Sequence, residues 1–397
     1  MTQSAPRTSH DAHVLIVGGG GTGGALAHDL ALRGLRVTLV ERGEFTSGTT
    51  GRHHGLLHSG ARYAVNDRES AVECIEENRI LRTIAPGSFE ENDGLFVAIS
   101  DEDMAYLPGF LEGCAAAGIP ADQLTPEEAS RLEPNLNPQM KVAVRVPDAT
   151  MDAMRLPMRF FATAKRNGAV LLNHVEVTGL LIHDRVVDGA VVHDHVTGRD
   201  AEIHADLTVN ATGPWSEQVA TMAGVDVPIR PSPGVMLALR GRLCNMVINR
   251  LHASGDGDII VPQRALSIVG TSSWVVDDPD HLGVPEDHVA RMVTEGSKLI
   301  PAVATAVHRA AWSAARPLIG SRGDADSGRE LSRTFKTIDH AAEGGAEGFV
   351  TITGGKGTTL RGMAEVCADV VCRKLGVDEA CRTRETVLLP HIAYSAA

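Results

Sequence analysis

One stretch of the sequence, HVLIVGGGGTGGALAHDLALRGLRVTLVE from His13 to Glu41, limits what this chain can fold into more than any other. Two apolar runs, 14–17 and 37–40, are rich in β-branched residues, which favour buried strands. Between them, the Ala- and Leu-rich segment 25–32 is typical of a short helix. This order predicts a βαβ unit that ends in an acid, and with it a Rossmann-type α/β domain.

Three glycines between the first strand and the helix, Gly18, Gly20 and Gly23, have the GxGxxG spacing. The first permits a tight turn, the second lets backbone N–H groups approach a pyrophosphate, and the third lets the helix pack on the strand. The helix N-terminus adds partial positive charge for the phosphates, and Glu41 stands where a carboxylate would hold ribose hydroxyls. The complete pattern therefore favours a dinucleotide site over a plain glycine-rich turn.

The composition bounds the class of protein. With 397 residues the chain has room for two or three domain-sized units, and its formal net charge of −13 argues against nucleic acid as the main partner. A small anionic substrate stays compatible, because its site needs only a few local cations. The six cysteines include no CxxC pair, so no zinc, iron–sulfur or other metal site is indicated, and they are interpreted as reduced thiols.

Targeting signals determine the expected compartment. The polar N-terminal segment lacks the apolar core of a signal peptide, and no run approaches the ~20 apolar residues of a membrane-spanning helix. We therefore expect a cytoplasmic protein, and a peripheral contact with a membrane or with another subunit stays open.

A polar loop rich in Gly, Ser and Thr, RGEFTSGTTGRHHGLLHSGARYA, follows Glu41. It also carries side chains that donate or accept hydrogen bonds, among them His58, Arg62 and Tyr63. Loops that follow the strands of a βαβ unit face the bound nucleotide. We therefore expect this loop to contact a cofactor, and the alternative is a solvated polar loop.

The second half of the chain returns twice to the pattern of a buried strand followed by a small-residue turn. A strand at 207–210 enters Ala211–Gly213, and another at 349–353 enters GGKGTT before a helix over 359–375. Between them, alternating strands in 226–275 indicate an antiparallel sheet. The sequence thus predicts a Rossmann-type cofactor domain that is interrupted by a substrate domain with a mixed or antiparallel sheet.

The expected domain boundaries follow from this alternation. The cofactor-binding domain comprises 12–90, 148–225 and 315–385, the substrate domain comprises 91–147 and 226–314, and the ends 1–11 and 386–397 are loose tails.

Five stretches resemble FAD-dependent glycerol-3-phosphate dehydrogenases, in particular the flavoprotein subunit of the anaerobic enzyme. They are the glycine motif with RGLRVTLVER, then TGRHHGLLHSGARYA, VNATGPW, VINRLHASGDGDIIVP, and finally ARPL with SGRELSRT and FVTITGGK. These stretches span roughly residues 13 to 375. The resemblance implies a two-domain flavoprotein of the D-amino-acid-oxidase-like fold, with FAD as its cofactor.

The resemblance also implies which residues surround the cofactor and the substrate. FAD would contact Gly18, Gly20, Gly23, Glu41, Arg42, Thr50, Val177, Ala211, Gly213, Gly355, Lys356, Gly357 and Thr358. The substrate would lie near Arg62, Tyr63, Arg316, Arg333 and Lys356. The chain departs from the family in the run 357–361, which lacks a usual tyrosine, and at 234–236, where some members have a histidine. The cysteine-rich extension of the family's anaerobic flavoprotein does not follow either.

These residues suit the oxidation of a secondary alcohol by hydride transfer to flavin N5, with glycerol 3-phosphate or a related polyol phosphate as the expected substrate. Arginine binds a phosphate or carboxylate bidentately, which favours Arg316 and Arg333, with Arg62 third. An imidazole accepts a proton at neutral pH, so His58 is the candidate base, and a structural or cofactor contact is its alternative. Lys356 would stabilise the negative charge of the reduced flavin.

Two other functions stay open at this point. The same fold would serve an FAD-dependent oxidase or dehydrogenase of a hydroxy acid or amino acid. The chain would also suit a flavin-binding subunit that is inactive without a partner. The electron acceptor is equally open between a quinone, O₂ and a partner subunit.

Overall fold

The computed structural model describes residues 11–320 and 334–396. Within these ranges the helices are α1 (Gly21–Leu32), α2 (Arg68–Ile84), α3 (Asp101–Ala116), α4 (Pro126–Leu132), α5 (Arg155–Arg166), α6 (Ser216–Met222), α7 (Glu286–Leu299), α8 (Leu360–Leu375) and α9 (Ala393–Ala396). None of the helices in this described part is long and apolar enough to cross a membrane. The strands are β1 (His13–Val17), β2 (Arg36–Glu41), β3 (Leu56–Leu57), β4 (Phe89–Glu90), β5 (Gly94–Ala98), β6 (Asp122–Leu124), β7 (Val142–Val146), β8 (Ala149–Met151), β9 (Val170–Asn173), β10 (Val175–His183), β11 (Val186–Asp194), β12 (Arg199–His204), β13 (Leu207–Asn210), β14 (Ile229–Arg240), β15 (Val247–Arg250), β16 (Ile259–Gln263), β17 (Leu266–Gly270), β18 (His308–Ile319), β19 (Phe335–Asp339) and β20 (Phe349–Gly354).

A six-stranded sheet with the order β19-β20-β13-β1-β2-β9 carries the predicted βαβ unit. Its neighbouring strands are parallel except for β19, which pairs antiparallel with β20 at one edge. Val17 at the end of β1 is level with Val40 and Asn210, so the loops after β1, β2 and β13 leave the sheet at the same edge. Ligands of such sheets bind at this carboxyl edge.

Helix α1 begins at Gly21, before the predicted start at residue 25. Glycine is a poor helix former, which explains the shorter prediction. Packing requires glycine here, because a Cβ on Gly23 would lie 2.0 Å from the carbonyl oxygen of Gly18. Close contact between helix and loop thus overrides local propensity.

The second large sheet has eight strands in the order β18-β14-β17-β16-β15-β5-β7-β6. Its neighbours are antiparallel, except for the parallel pair of β15 and β5. Helix α7 packs on this sheet over an apolar cluster that includes Leu237 and Met292. The antiparallel sheet predicted for 226–275 is therefore confirmed.

Two three-stranded sheets complete the described fold. Strands β10, β11 and β12 pair antiparallel in chain order. Strands β3, β8 and β4 are two or three residues long and have no counterpart in the sequence prediction. Pairing between Leu56–Leu57 and β8 stabilises them, and local periodicity does not show a contact between segments so far apart in the chain.

The predicted domain boundaries follow the two large sheets in most places. Strands from 91–147 and 226–314 form the eight-stranded sheet. Strand β18 is the exception, because it runs unbroken from His308 to Ile319 across the expected boundary at 314. The division into two domains stays a prediction.

The C-terminal segment 386–396 is packed, so the expectation of a loose tail there is wrong. The Leu388 side chain is 2% exposed and belongs to the main apolar core. Its backbone N–H donates to the carbonyl oxygen of Ile84 at 2.7 Å, and its carbonyl accepts from Arg159 Nη2 at 2.8 Å. Apolar burial and backbone pairing together hold this segment in place. Residues 1–10 lie outside the described ranges.

Candidate active site

A large cavity of about 960 Å³ opens where the carboxyl edge of the six-stranded sheet meets the eight-stranded sheet. Its wall comes from the glycine loop after β1, the loop after β2, the turn after β13, strands β14 and β18, and the turn after β20. A cavity of this size takes a drug-sized ligand or a larger one.

The glycine loop presents backbone to this cavity. Gly18 has φ +112°, and a Cβ there would lie 2.6 Å from the carbonyl oxygen of Ala211, so no other residue fits. Helix α1 begins without a side-chain cap from Gly20 and without an acid in its first turn. A Cβ on Gly20 would meet only Thr50 Oγ1, at 3.2 Å. The first N–H of the helix, that of Gly21, donates to Thr50 Oγ1 at 3.0 Å, and the partial positive charge of the helix N-terminus still suits an anionic ligand.

Glu41 ends β2 with its carboxylate held by two backbone N–H groups. Gly19 donates to Oε2 at 2.7 Å, and Gly43 donates to Oε1 at 2.9 Å. Each carboxylate oxygen keeps further acceptor capacity. This geometry suits the predicted contact with ribose hydroxyls.

Three side chains at the rim of the cavity, beyond Glu41, contact one another. The Arg42 guanidinium lies 4.7 Å from the centre of the Trp215 ring and forms an ion pair with Asp280. Asp280 also accepts a hydrogen bond from Trp215 Nε1 at 2.9 Å. The sequence analysis placed Arg42 here and missed Asp280, because no motif connects its loop with β2.

Three histidines after β2 line the cavity in a row. Ring centroids are 6.3 Å apart from His53 to His54 and again from His54 to His58. Burial lowers the pKa of His53 to about 4. Burial, followed by neighbouring positive charges, lowers the pKa of His54 to about 3 and that of His58 well below 6.5. All three rings are therefore neutral at pH 7.

His58 is fixed through both ends of its backbone. Its N–H donates to Thr358 Oγ1 at 3.0 Å, and its carbonyl accepts from Asn78 Nδ2 at 3.0 Å. Its ring centroid lies 5.6 Å from that of Tyr63. A neutral imidazole held in this way has a lone pair that can accept a proton, as the predicted base must, but its lowered pKa makes it a weak base.

Arg62 forms a buried ion pair in the cavity wall. Its Nη2 donates to both oxygens of Asp258, at 2.6 and 2.7 Å, and the two side chains are 9% and 2% exposed. Burial by itself raises the pKa of Asp258, but the Arg62 charge and hydrogen bonds from His252 and Gly255 outweigh it and lower that pKa. The carboxylate thus fixes Arg62 and offsets part of its charge.

Lys356 follows β20 and lies between Tyr63 and helix α2. Its Nζ donates to Ser70 Oγ at 3.1 Å and lies 5.1 Å from the centre of the Tyr63 ring. Glu73 Oε2 is 3.7 Å from Nζ. These contacts place a cation beside the row of histidines.

Arg316 on β18 is held by the polar backbone around it. Its Nε donates to the carbonyl oxygen of Ser232 at 3.0 Å. Its Nη2 donates to the carbonyl oxygens of Pro233 and Ser272, both at 2.9 Å, and its Nη1 donates to Thr271 Oγ1 at 3.3 Å. These bonds fix the plane of the guanidinium at the cavity wall.

The structure brings most of the predicted site residues to this one cavity. Those that line it are Gly18, Gly20, Glu41, Arg42, Thr50, His58, Arg62, Tyr63, Val177, Ala211, Gly213, Arg316, Gly355, Lys356, Gly357 and Thr358. Gly23 packs α1 onto the glycine loop and does not belong to the described cavity wall, so its contact with the cofactor stays a prediction. Arg333 lies outside the described residues.

Asp258 is a residue that the sequence analysis missed. The stretch GDGDIIVP contains two acids, and nothing in the sequence indicates which of them pairs with Arg62. The pairing follows from β16, which places Asp258 just before its first residue and against the loop after β2.

The nucleotide end of the cavity fits FAD. It offers a helix N-terminus without an acid in its first turn for the pyrophosphate, a carboxylate at the end of β2 for the ribose, and the space at Gly20 that a side chain would fill. The flavin would then reach the histidines and cations at the other end of the same cavity.

Comparison with known proteins agrees with this geometry. The model of the family described as FAD dependent oxidoreductase, DAO, matches residues 13–366. The chain is 44% identical over 384 residues to one of the subunits of the anaerobic glycerol-3-phosphate dehydrogenase of Escherichia coli strain K12, and the match covers 96% of this chain and 71% of that protein. A subunit of the anaerobic glycerol-3-phosphate dehydrogenase of Haloferax volcanii is 45% identical over 385 residues, with coverage of 94% and 66%.

Solved structures share the fold. Glycerol-3-phosphate dehydrogenase from Bacillus halodurans in complex with FAD superposes with a TM-score of 0.72 at 24% identity, covering 96% of this chain and 68% of that one. L-α-Glycerophosphate oxidase from Mycoplasma pneumoniae with FAD bound gives 0.73 at 19% identity, covering 93% and 96%.

Proposed function

The chain belongs to the family of FAD-dependent oxidoreductases, and we propose that its substrate is sn-glycerol 3-phosphate, which it oxidises to dihydroxyacetone phosphate. FAD is its cofactor. The names of the relatives from Escherichia coli and Haloferax volcanii support this substrate.

The observation that carries the proposal is the placement of three cations beside a neutral histidine. Arg62, Arg316 and Lys356 line the same cavity as His58. The positive charges of two guanidinium groups and an ammonium group match a phosphate better than a neutral alcohol. The alcohol carbon of a bound glycerol phosphate would then lie within reach of the imidazole.

The reaction removes a hydride from the carbinol carbon and a proton from its hydroxyl, and a ketone forms. FAD, when bound, supplies the hydride acceptor. His58 takes the hydroxyl proton, since its ring is neutral at pH 7. Arg62 and Arg316 hold the phosphate.

We also propose that this chain passes its electrons to a partner protein of the same complex. The names of the relatives describe each of them as one subunit of an anaerobic enzyme, which supports a multi-subunit arrangement. In the test below a redox dye replaces such a partner, so the substrate can be identified without it.

Turnover of the FAD-loaded chain with a redox dye tests the substrate. The rates with sn-glycerol 3-phosphate, glycerol, L-lactate and L-proline are compared. We expect kcat/KM for glycerol 3-phosphate to exceed that for glycerol by about 10- to 100-fold or more, because at least one charge-assisted pair worth ~1.5–3 kcal/mol is missing for glycerol. If the chain oxidises only L-lactate or only L-proline, its substrate is a hydroxy acid or an amino acid and not a polyol phosphate. Bound FAD with no turnover of any of them would favour a flavin-binding chain that needs its partner.

A further inference from the structure

His54 lines the substrate end of the cavity, and the proposed function gives it no task. Its backbone is fixed, because Gln263 Nε2 donates to its carbonyl oxygen at 3.2 Å and to the carbonyl oxygen of Met151 at 3.0 Å. The ring therefore projects from a rigid segment. One of its edges lies near Gly270, where an added Cβ would be 3.7 Å from His54 Cδ2.

The hydrogen bonds of His54 determine its tautomer. The backbone N–H of Leu56 donates to Nδ1 at 3.2 Å, so Nδ1 is an acceptor and carries no hydrogen. A neutral ring must then carry its hydrogen on Nε2. No hydrogen-bond partner of Nε2 is found in the described part of the chain, and this atom is not among the buried atoms without a partner, so it opens onto the cavity. His54 thus offers one N–H donor to a ligand.

The charges that act on His54 show which end of the cavity this donor faces. Arg62 and Arg316 both lower the pKa of His54, and Asp258 opposes them. The neighbouring His53 has the same Nδ1 acceptor, which accepts from the Gly55 N–H at 2.9 Å. The charged group that acts on its pKa is Asp152. The geometry agrees, because the His54 ring lies by Gly270, whose neighbour Thr271 accepts from Arg316 Nη1 at 3.3 Å, whereas the His53 ring lies by Gly357.

From this geometry we propose that His54 determines substrate specificity by donating a hydrogen bond from Nε2 to an oxygen of the substrate's phosphate group. The assignment rests on the proposed function, since it places a phosphate between Arg62 and Arg316. A neutral donor adds a directed hydrogen bond without a further charge. It also keeps its hydrogen over the whole pH range in which the ring stays neutral.

Binding of inorganic phosphate to the FAD-loaded chain, measured by calorimetry, tests this role without turnover. His54→Phe removes the donor and keeps the ring, and we expect the Kd for phosphate to rise about 10- to 100-fold. His54→Gln keeps an N–H donor and should recover part of that loss. His53→Phe is the matched control, with a phosphate Kd within about twofold of the wild type.

The ratio of the phosphate Kd of His54→Phe to that of the wild type, measured at two pH values, distinguishes a neutral donor from an imidazolium. Phosphate titrates equally against the wild type and the variant, so its own ionisation cancels in the ratio of the two Kd values. We expect the ratio for His54→Phe to be the same at pH 6 and pH 8. A ratio that grows towards pH 6 would mean a protonated ring and would overturn the assignment.

Nuclear magnetic resonance of the ¹⁵N-histidine-labelled chain reads the tautomer directly, with the His54 signals assigned by their loss in His54→Gln. The assignment requires hydrogen on Nε2, none on Nδ1, and a shift of the Nε2 signal when phosphate is added. Hydrogen on Nδ1, an unchanged phosphate Kd in His54→Phe, or an equal loss in His53→Phe would each overturn it. If phosphate binding behaves as expected and glycerol 3-phosphate is not oxidised, the anion site stands and only the proposed substrate fails.

Discussion

The two ends of the cavity are built in different ways. The nucleotide end is centred on the contiguous segment 13–41, where its polar groups are backbone N–H groups and the Glu41 carboxylate, and the turn after β13 and the rim residues Arg42, Trp215 and Asp280 complete it. The substrate end is assembled from the loop after β2, strand β18 and the turn after β20, which are far apart in the chain. Its polar groups are ionised or titratable side chains, which side chains hold at Arg62 and Lys356 and backbone carbonyls hold at Arg316.

The two ends therefore respond differently to substitution. At the nucleotide end a substitution acts through the space that it fills, because the ligand meets backbone. At the substrate end a substitution acts through charge, because Arg62 depends on Asp258 and Lys356 contacts Ser70 and Glu73. Variants that change only one end of the cavity can therefore distinguish the two.

Gly20→Val has the largest expected effect, a complete loss of FAD binding. The new side chain meets only Thr50 Oγ1 within the protein, so the fold survives, but it occupies the space of the pyrophosphate. FAD retention after gel filtration and circular dichroism measure the two effects. Gly23→Val is the contrasting variant: its Cβ would lie 2.0 Å from a backbone oxygen, and we expect loss of the fold itself. A Gly20→Val protein that still binds FAD would contradict the assignment of the space beside Gly20 to the pyrophosphate.

Asp258→Asn breaks the buried pair at the substrate end, and we expect the free energy of unfolding at pH 7 to fall by about 3–5 kcal/mol. The pKa of Asp258 is lowered in the folded state, so its contribution is fully present above its ordinary value of ~3.9 and is lost as the pH falls through the folded value. Urea unfolding of the wild type and of Asp258→Asn at pH 7 and pH 3 measures the loss of stability and its pH dependence. Equal losses at the two pH values would argue against an ionised Asp258.

Arg316→Ala is expected to raise KM for glycerol 3-phosphate by about 10- to 100-fold, the scale of one charge-assisted pair of ~1.5–3 kcal/mol. The Kd for FAD should stay unchanged, because the nucleotide end is not touched. Arg309→Ala on the same strand is the matched control, since Arg309 is exposed and outside the cavity wall. An unchanged KM would remove Arg316 from the phosphate site.

The row of histidines makes a smaller prediction about stability and pH. Their pKa values are lowered in the folded state, so the unfolded chain binds more protons below pH ~6.5 and stability is lost as the pH falls from there towards 4. Each histidine contributes at most about 1.4 kcal/mol per pH unit. His53→Phe should flatten the fall in the urea midpoint of the FAD-free chain between pH 6.5 and 5. A slope that does not change would show that His53 stays solvated.

More of the nucleotide end than of the substrate end can be predicted from the sequence. Hydrophobic periodicity and the glycine spacing are local signals, and they predicted the βαβ unit, which the structure confirms. The short strands β3, β4 and β8, the partner of Arg62 and the packing of Leu388 depend on contacts between remote segments. No periodicity encodes such contacts, so the sequence could name the residues of the substrate end without showing how they are paired.

If one cavity joins bound FAD to a glycerol phosphate site, the substrate must reduce the flavin. The absorbance spectrum of the FAD-loaded chain before and after anaerobic addition of sn-glycerol 3-phosphate measures this reduction. We expect the oxidised flavin bands to bleach in the wild type and in Arg309→Ala. Flavin bands that persist in the wild type, with FAD still bound, would contradict the claim and leave only the fold and the cofactor.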